Sequence, residues 1–114
     1  MQVYNTNQLA MYDVDDTLVM HEPYNDKSIG IPDPYIPGMT NFLTPNEKHI
    51  LLLKKHKARG FTVVVWSQQG FEWAEAVVKA LKLEEYVDAV FTKPSVYVDD
   101  LDVNEWFGQR VYLK

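Results

Sequence analysis

The sequence predicts an α/β fold, a Rossmann-like parallel sheet flanked by helices. Three observations predict it. Apolar strand-like runs alternate with helix-patterned segments along the chain. One of those runs, Phe61-Thr62-Val63-Val64-Val65-Trp66, is apolar or β-branched throughout, as a strand buried on both faces should be. Three runs also break abruptly into Asp or Ser: Asp13 after the first, Ser67 after the second, Asp99 and Asp100 after a later one. A length of 114 residues suits one domain over positions 1–114 and leaves no room for a second core.

Leu9-Ala10-Met11-Tyr12, emptying into Asp13-Val14-Asp15-Asp16, reads as a short buried strand followed by an acidic turn. Residues 20–43 hold Pro23, Pro32, Pro34, Pro37 and Gly38, which interrupt any period, so a loop or a small hairpin is expected there. A helix should follow, with Thr44 as N-cap, Pro45 at its first position and Glu47 completing a capping box. Ile50 to Leu53 supply its buried side, Lys54, Lys55, Lys57 and Arg59 favour its C-terminal end, and Gly60 can close it. After the central strand and the break Ser67-Gln68-Gln69-Gly70, Phe71, Ala74, Val77, Val78 and Leu81 recur at helical spacing. Ala89-Val90-Phe91 and Val96-Tyr97-Val98 are two further apolar runs. Asn104 to Phe107 suit one helical turn, and Arg110 to Leu113 suit a final strand. His49 and His56 are expected on a helix surface, and Asp102 at the protein surface.

Composition excludes several classes. There is no apolar run of membrane-spanning length and no cysteine for disulfides or thiolate metal sites. The first seven residues lack a signal-peptide pattern, which fits a cytoplasmic protein. A net charge of −5 argues against long nucleic acid as a partner.

In open parallel sheets, ligand sites lie beyond the C-terminal strand ends. Asp13, Asp15, Ser67, Asp99 and Asp100 would then share one crevice, with Lys93 as the nearby cation. Two like charges 4 Å apart repel by about 4 kcal/mol at an effective dielectric of about 20. A hard cation relieves that repulsion, and Mg²⁺ suits carboxylates, waters and a substrate phosphate. In such a crevice one carboxylate can attack phosphorus, and a second, two residues on, can shuttle the proton.

Asp13-Val14-Asp15-Asp16-Thr17-Leu18-Val19 after an apolar strand resembles the first motif of the haloacid dehalogenase superfamily. Val63-Val64-Val65-Trp66-Ser67 resembles the second, Lys93-Pro94 the third and Val96-Tyr97-Val98-Asp99-Asp100 the fourth, in the family's order. The resemblance implies a Mg²⁺-dependent phosphomonoester hydrolase acting through an aspartyl-phosphate on Asp13, with Asp15 as general acid/base. It implies that Asp13, the backbone carbonyl of Asp15 and Asp99 hold the metal, with Asp100 acting directly or through water, that Ser67 and Lys93 bind the phosphoryl group, and that Thr17 braces the first loop. The substrate would be a phosphorylated small molecule, a nucleotide or a nucleic-acid end.

Two departures stand out. Only five residues separate Lys93 from Asp99, whereas a parallel crossover takes a dozen or more, so Ala89-Val90-Phe91 is expected to be a short extended lead-in that delivers Lys93 directly. Residues 20–43 stand where many relatives carry a cap domain, so the site should be open, or covered by a second copy of the chain. Two other functions compete. A phosphoacceptor signalling domain would place its acidic pair first, its phosphorylated Asp later and its Lys last, which is not the order here. A binding or assembly module that keeps the fold without turnover is the alternative.

Overall fold

The computed structural model describes residues 8–114. The expectation about a leader at residues 1–7 lies outside them. Nine elements follow in order: β1 (Leu9–Asp13), β2 (Val19–Met20), β3 (Ile29–Pro32), β4 (Thr40–Pro45), α1 (Glu47–Ala58), β5 (Thr62–Ser67), α2 (Phe71–Ala80), β6 (Ala89–Thr92) and α3 (Val103–Trp106). The result is an α/β fold built on a three-stranded parallel sheet of order β1-β5-β6. A second, antiparallel sheet, β2-β4-β3, fills residues 19–45. The region expected to be a loop or hairpin therefore does contain a hairpin, β3–β4, to which β2 is added. No helix among the described residues is long and apolar enough to cross a membrane.

Alternation along the parallel strands separates two faces. Ala10, Tyr12, Val63, Val65 and Val90 join the core, packed with Ile50 and Leu53 of α1 and Trp73, Ala74, Val77 and Val78 of α2. Leu9, Met11, Trp66 and Phe91 point the other way by register and are not part of that core. Leu9 and Phe91 are each 50% exposed. Both long helices thus cover one face, as follows when a chain steps β1 to β5 to β6 in one direction through right-handed crossovers.

The start of α1 differs from the expectation. Asn46 is the N-cap, and Thr44 and Pro45 belong to β4, where they pair with Met20 and Val19. Pairing with β2 holds the Thr44 backbone in the ladder, so no Thr44–Glu47 capping box forms. The end is as expected. Gly60, at φ 89°, donates to the Lys57 carbonyl, and Phe61 donates to that of His56. These are the paired bonds of a left-handed cap that glycine adopts without steric cost. The same motif closes α2, with Lys82 at φ 58° in the glycine position.

Three further expectations are corrected. His49 is buried, because α1 turns it beneath the loop after β1, and His56 is partly buried against Tyr12 and Phe61. Burial, aided by the nearby Arg59, pushes the His56 imidazole below its ordinary value. Residues 96–98 form no strand: Val96 and Val98 are 78% and 97% exposed. Residues 110–113 form no strand either. Residues 96–98 follow β6 too closely to return to the sheet by a crossover, and Tyr112 and Leu113 are engaged instead by the Asp16 carbonyl and by His49. The single turn of helix expected near Asn104 is α3, whose Asp102 and Glu105 form a capping box, and Asp102 is exposed as expected.

Asp88 fastens the lower end of the sheet. Its carboxylate accepts from the Val63 N–H at 2.8 Å and from Lys57 Nζ at 2.7 Å. Desolvation raises its pKa, but the Lys57 and Val63 hydrogen bonds and the Lys57 charge outweigh it and hold the carboxyl below the ordinary range. A lowered folded value stabilises the protein above the unfolded pKa of about 4, and this is lost as pH falls through the folded value. Urea titrations from pH 6 down to pH 2 should therefore show an acid-side loss of stability that is smaller in Asp88→Asn.

Candidate active site

The candidate residues gather where the parallel strands end. Register sets Asp13 opposite Trp66 and Ser67 opposite Thr92, so Asp13, Ser67 and Lys93 leave three adjacent strands at nearly one level. The Lys93 N–H donates to the Ser67 carbonyl at 2.9 Å, which continues the β5–β6 ladder by one bond. That bond aims the side chain: Lys93 Nζ reaches Asp13 Oδ1 at 3.2 Å and stands 5.8 Å from the centroid of the Trp66 ring. Ala89 to Thr92, expected as an extended lead-in, instead pair with β5 as the parallel strand β6, reached through α2, and this strand delivers the lysine to the aspartate.

Asp13 uses both oxygens. Thr17 Oγ1 donates to its Oδ2 at 3.1 Å while Lys93 holds Oδ1. Its side chain keeps about a third of its surface exposed (34%), so the carboxylate remains open to an incoming group. The loop between them is tightly wound. Leu18 and Val19 donate to the Val14 carbonyl, and Asp16 takes a left-handed φ of 60°. Asp16 Oδ1 accepts from the His21 N–H at 3.0 Å, which marks Asp16 as a structural member of the turn.

Asp15 faces a different set of partners. His21 Nε2 lies 2.8 Å from its Oδ1, Trp73 Nε1 donates to the same oxygen at 3.3 Å, and Gln69 Nε2 donates to Oδ2 at 3.4 Å. Trp73 is buried in the core, so its indole N–H is a fixed donor that holds Asp15 from beneath. Nothing in the sequence distinguished Trp73 from any other apolar residue on its helix. Its pairing with Asp15 depends on how α2 lies against the β1 loop.

Ser67 is buried at 1% exposure, and its Oγ accepts from the Gln69 N–H at 3.0 Å. The hydroxyl therefore organises its own loop and keeps a proton to donate. Ser67 does not cap α2. Gly70 is the N-cap, and the Phe71 N–H is satisfied by Thr92 Oγ1 at 3.0 Å, across from β6. Gly70 has φ 112°, and a Cβ there would collide with the Tyr35 hydroxyl, so only glycine fits. Tyr35, on the segment joining β3 to β4, donates to the Gln69 carbonyl at 2.5 Å. The flap is thus tied to the loop that carries Ser67.

The last residues brace the site from behind. Thr17 O can only accept, so His49 Nδ1 carries the proton and donates to it at 2.8 Å; Nε2 then accepts from the Leu113 N–H at 2.8 Å. Tyr112 donates to the Asp16 carbonyl at 3.1 Å and meets the His49 ring edge-on. Lys48 donates to the backbone carbonyl of Lys114.

Asp99 and Asp100 are not brought to this group. Both are exposed. Asp99 accepts from the Leu101 N–H at 3.1 Å, and that bond, with one from Asp100, holds its carboxyl below the ordinary range. Among the described residues no three His, Asp or Glu side chains stand together as a metal group. The hard-oxygen donors that do stand at the strand ends, Asp13 and Asp15, have the chemistry that suits Mg²⁺ entering with waters and a phosphate. Compared with protein-family models, curated proteins and solved structures, the chain matches none of them.

Proposed function

We propose that the protein is a small Mg²⁺-dependent phosphomonoester hydrolase of haloacid-dehalogenase type, without a cap domain. One observation carries the reading: the Asp13 carboxylate, at the end of β1, is paired at 3.2 Å with Lys93 from the end of β6. A carboxylate beside a lone cation at converging strand ends can accept a phosphoryl group whose negative charge the cation offsets.

Asp13 attacks phosphorus through one carboxylate oxygen, and the bond from phosphorus to the ester oxygen breaks. Asp15 gives its proton to the departing oxygen, leaving an alcohol and an aspartyl-phosphate on Asp13. Asp15, now a carboxylate, takes a proton from water. The water oxygen bonds to phosphorus, the bond to Asp13 breaks, and inorganic phosphate departs with Asp15 protonated again. Lys93 holds phosphoryl oxygens through both steps, and the buried Ser67 hydroxyl supplies a further donor. Trp73, Gln69 and His21 keep Asp15 aimed. Mg²⁺, held by Asp13 and Asp15 when bound, would neutralise phosphate charge. The open crevice, with Trp66 beside Lys93, favours a nucleotide or other phosphorylated small molecule among the substrates.

The test is phosphate release from p-nitrophenyl phosphate and a nucleotide panel, with Mg²⁺ or with EDTA. Turnover that EDTA abolishes is the expected result. That the exposed Asp99 and Asp100 form no metal group with Asp13 among the described residues favours a second reading, a binding or assembly module. Stoichiometric Mg²⁺ or nucleotide binding with no hydrolysis across the panel would establish that reading in place of the enzyme.

A further inference from the structure

The parallel sheet is incomplete in two ways. Among the described residues β1 pairs only with β5, so its other edge carries an open ladder that ends at Asp13. The face turned away from the helices is covered over Val64, which is 2% exposed, but leaves Leu9 and Phe91 each half exposed, although parallel sheets are ordinarily covered on both faces. The chain also holds the matching piece. Val96, Tyr97 and Val98 are a β-branched and aromatic run, 78%, 49% and 97% exposed, that leads straight into Asp99 and Asp100. Trp106 and Phe107, stacked on one another with a 5.5 Å centroid distance, follow it and are also exposed.

That run cannot reach the open edge of its own sheet in a useful direction. From β6 to a position beyond β1 is three strand spacings, about 14 Å, and a parallel strand must also descend about 16 Å to its starting end. Residues 93–95 are the only connection, and four Cα steps from Thr92 to Val96 span at most about 14 Å. Lys93 is moreover pinned to the Ser67 carbonyl, and Pro94 keeps the residue before it extended. An antiparallel lie along β1 would carry Asp99 and Asp100 to the end of the strand remote from Asp13.

We propose that the protein forms a strand-swapped dimer in which residues 96–100 of each copy pair in parallel with the open edge of β1 in the other and bring Asp99 and Asp100 beside that copy's Asp13. Residues 96–100 match the five-residue length of β1, so the acidic pair arrives level with Asp13. The exchange is self-complementary, because each copy offers one edge and one strand. A short, stiff hinge that cannot fold back on its own domain is the circumstance in which exchange between copies prevails. The following Leu101, Trp106 and Phe107, all exposed in the single chain, are then carried to the partner. The catalytic importance of the acidic pair rests on the phosphatase reading; the dimer itself does not.

Two measurements on the full chain with Mg²⁺ test it. Light scattering on a sizing column should give twice the monomer mass of 13.3 kDa. Val98→Pro should give a monomer with unchanged circular dichroism, since a proline blocks the ladder at a residue that is 97% exposed in the single chain. A wild-type monomer, or a dimer that survives Val98→Pro, overturns the proposal. If the wild type hydrolyses phosphate esters, Asp13→Asn and the double variant Asp99→Asn/Asp100→Asn should each be inactive. Their equimolar mixture, refolded together, should recover about a quarter of wild-type activity, because half the dimers are mixed and each has one intact site. No recovery overturns the exchange while leaving the enzyme in place. A dimer that Val98→Pro dissociates, with no hydrolysis by any form, upholds the exchange and removes the enzyme.

Discussion

If the protein is the phosphatase proposed, phosphate release in Asp13→Asn should fall by about a thousandfold or more while the fold persists. The amide keeps the shape of the carboxylate and still accepts from Thr17 Oγ1, but it is a far weaker nucleophile towards phosphorus. The stability cost is small. Asp13 and Lys93 are 34% and 31% exposed at the side chain, and an ion pair so open to water contributes about 1 kcal/mol or less. Single-turnover phosphate release, read beside a urea melt of the same preparation, separates the two effects. Turnover at the wild-type rate removes Asp13 from the chemistry. Turnover lost together with the fold would instead make Asp13 a structural residue.

Leu53→Ala is the largest stability effect expected from one truncation on α1, about 2–5 kcal/mol. Leu53 is fully buried between the helix and the parallel sheet, so its removal leaves a cavity that close-packed neighbours fill only in part. Leu51, two residues earlier on the same helix, is 53% exposed, and Leu51→Ala should change stability by about 0.5 kcal/mol or less. Urea denaturation of both variants checks the contrast. Equal losses would mean that α1 presents a different face to the sheet.

That pair also shows how far the sequence was legible. The run Ile50 to Leu53 announced a buried side, but four consecutive apolar residues cover too much of a helix's circumference to say which of them turns inward. Strands β1 and β5 were legible because they are short apolar runs broken by Asp13 and by Ser67, whereas β6, which ends at Thr92 and Lys93 without such a break, read only as an extended lead-in. Gly60 was legible because a helix end needs its left-handed conformation. Thr44 misled, since a good capping residue followed by proline is also compatible with an edge-paired strand, and only β2 decides between them. The juxtaposition of Asp13 and Lys93 was legible from the strand ends. The grip of Trp73 on Asp15 was not, because it is a contact between elements distant in the chain. The run at residues 96–98 has strand-like composition, but propensity cannot supply a pairing partner that the connection forbids; in the run at 110–113, Tyr112 and Leu113 bond to the Asp16 carbonyl and to His49 instead of to a strand.

The seat of the C-terminal residues on His49 and Asp16 has a kinetic consequence. These bonds span 64 and 96 positions of chain, so closing them costs entropy that is recovered only after α1 and the β1 loop are in place. They belong to the final stage of folding, when the rest of the molecule is already committed. Weakening them should hasten unfolding and leave the rate of folding nearly untouched. Tyr112 and Leu113 therefore act as a latch on lifetime: they govern how long the Asp13 loop stays assembled, not how quickly it forms.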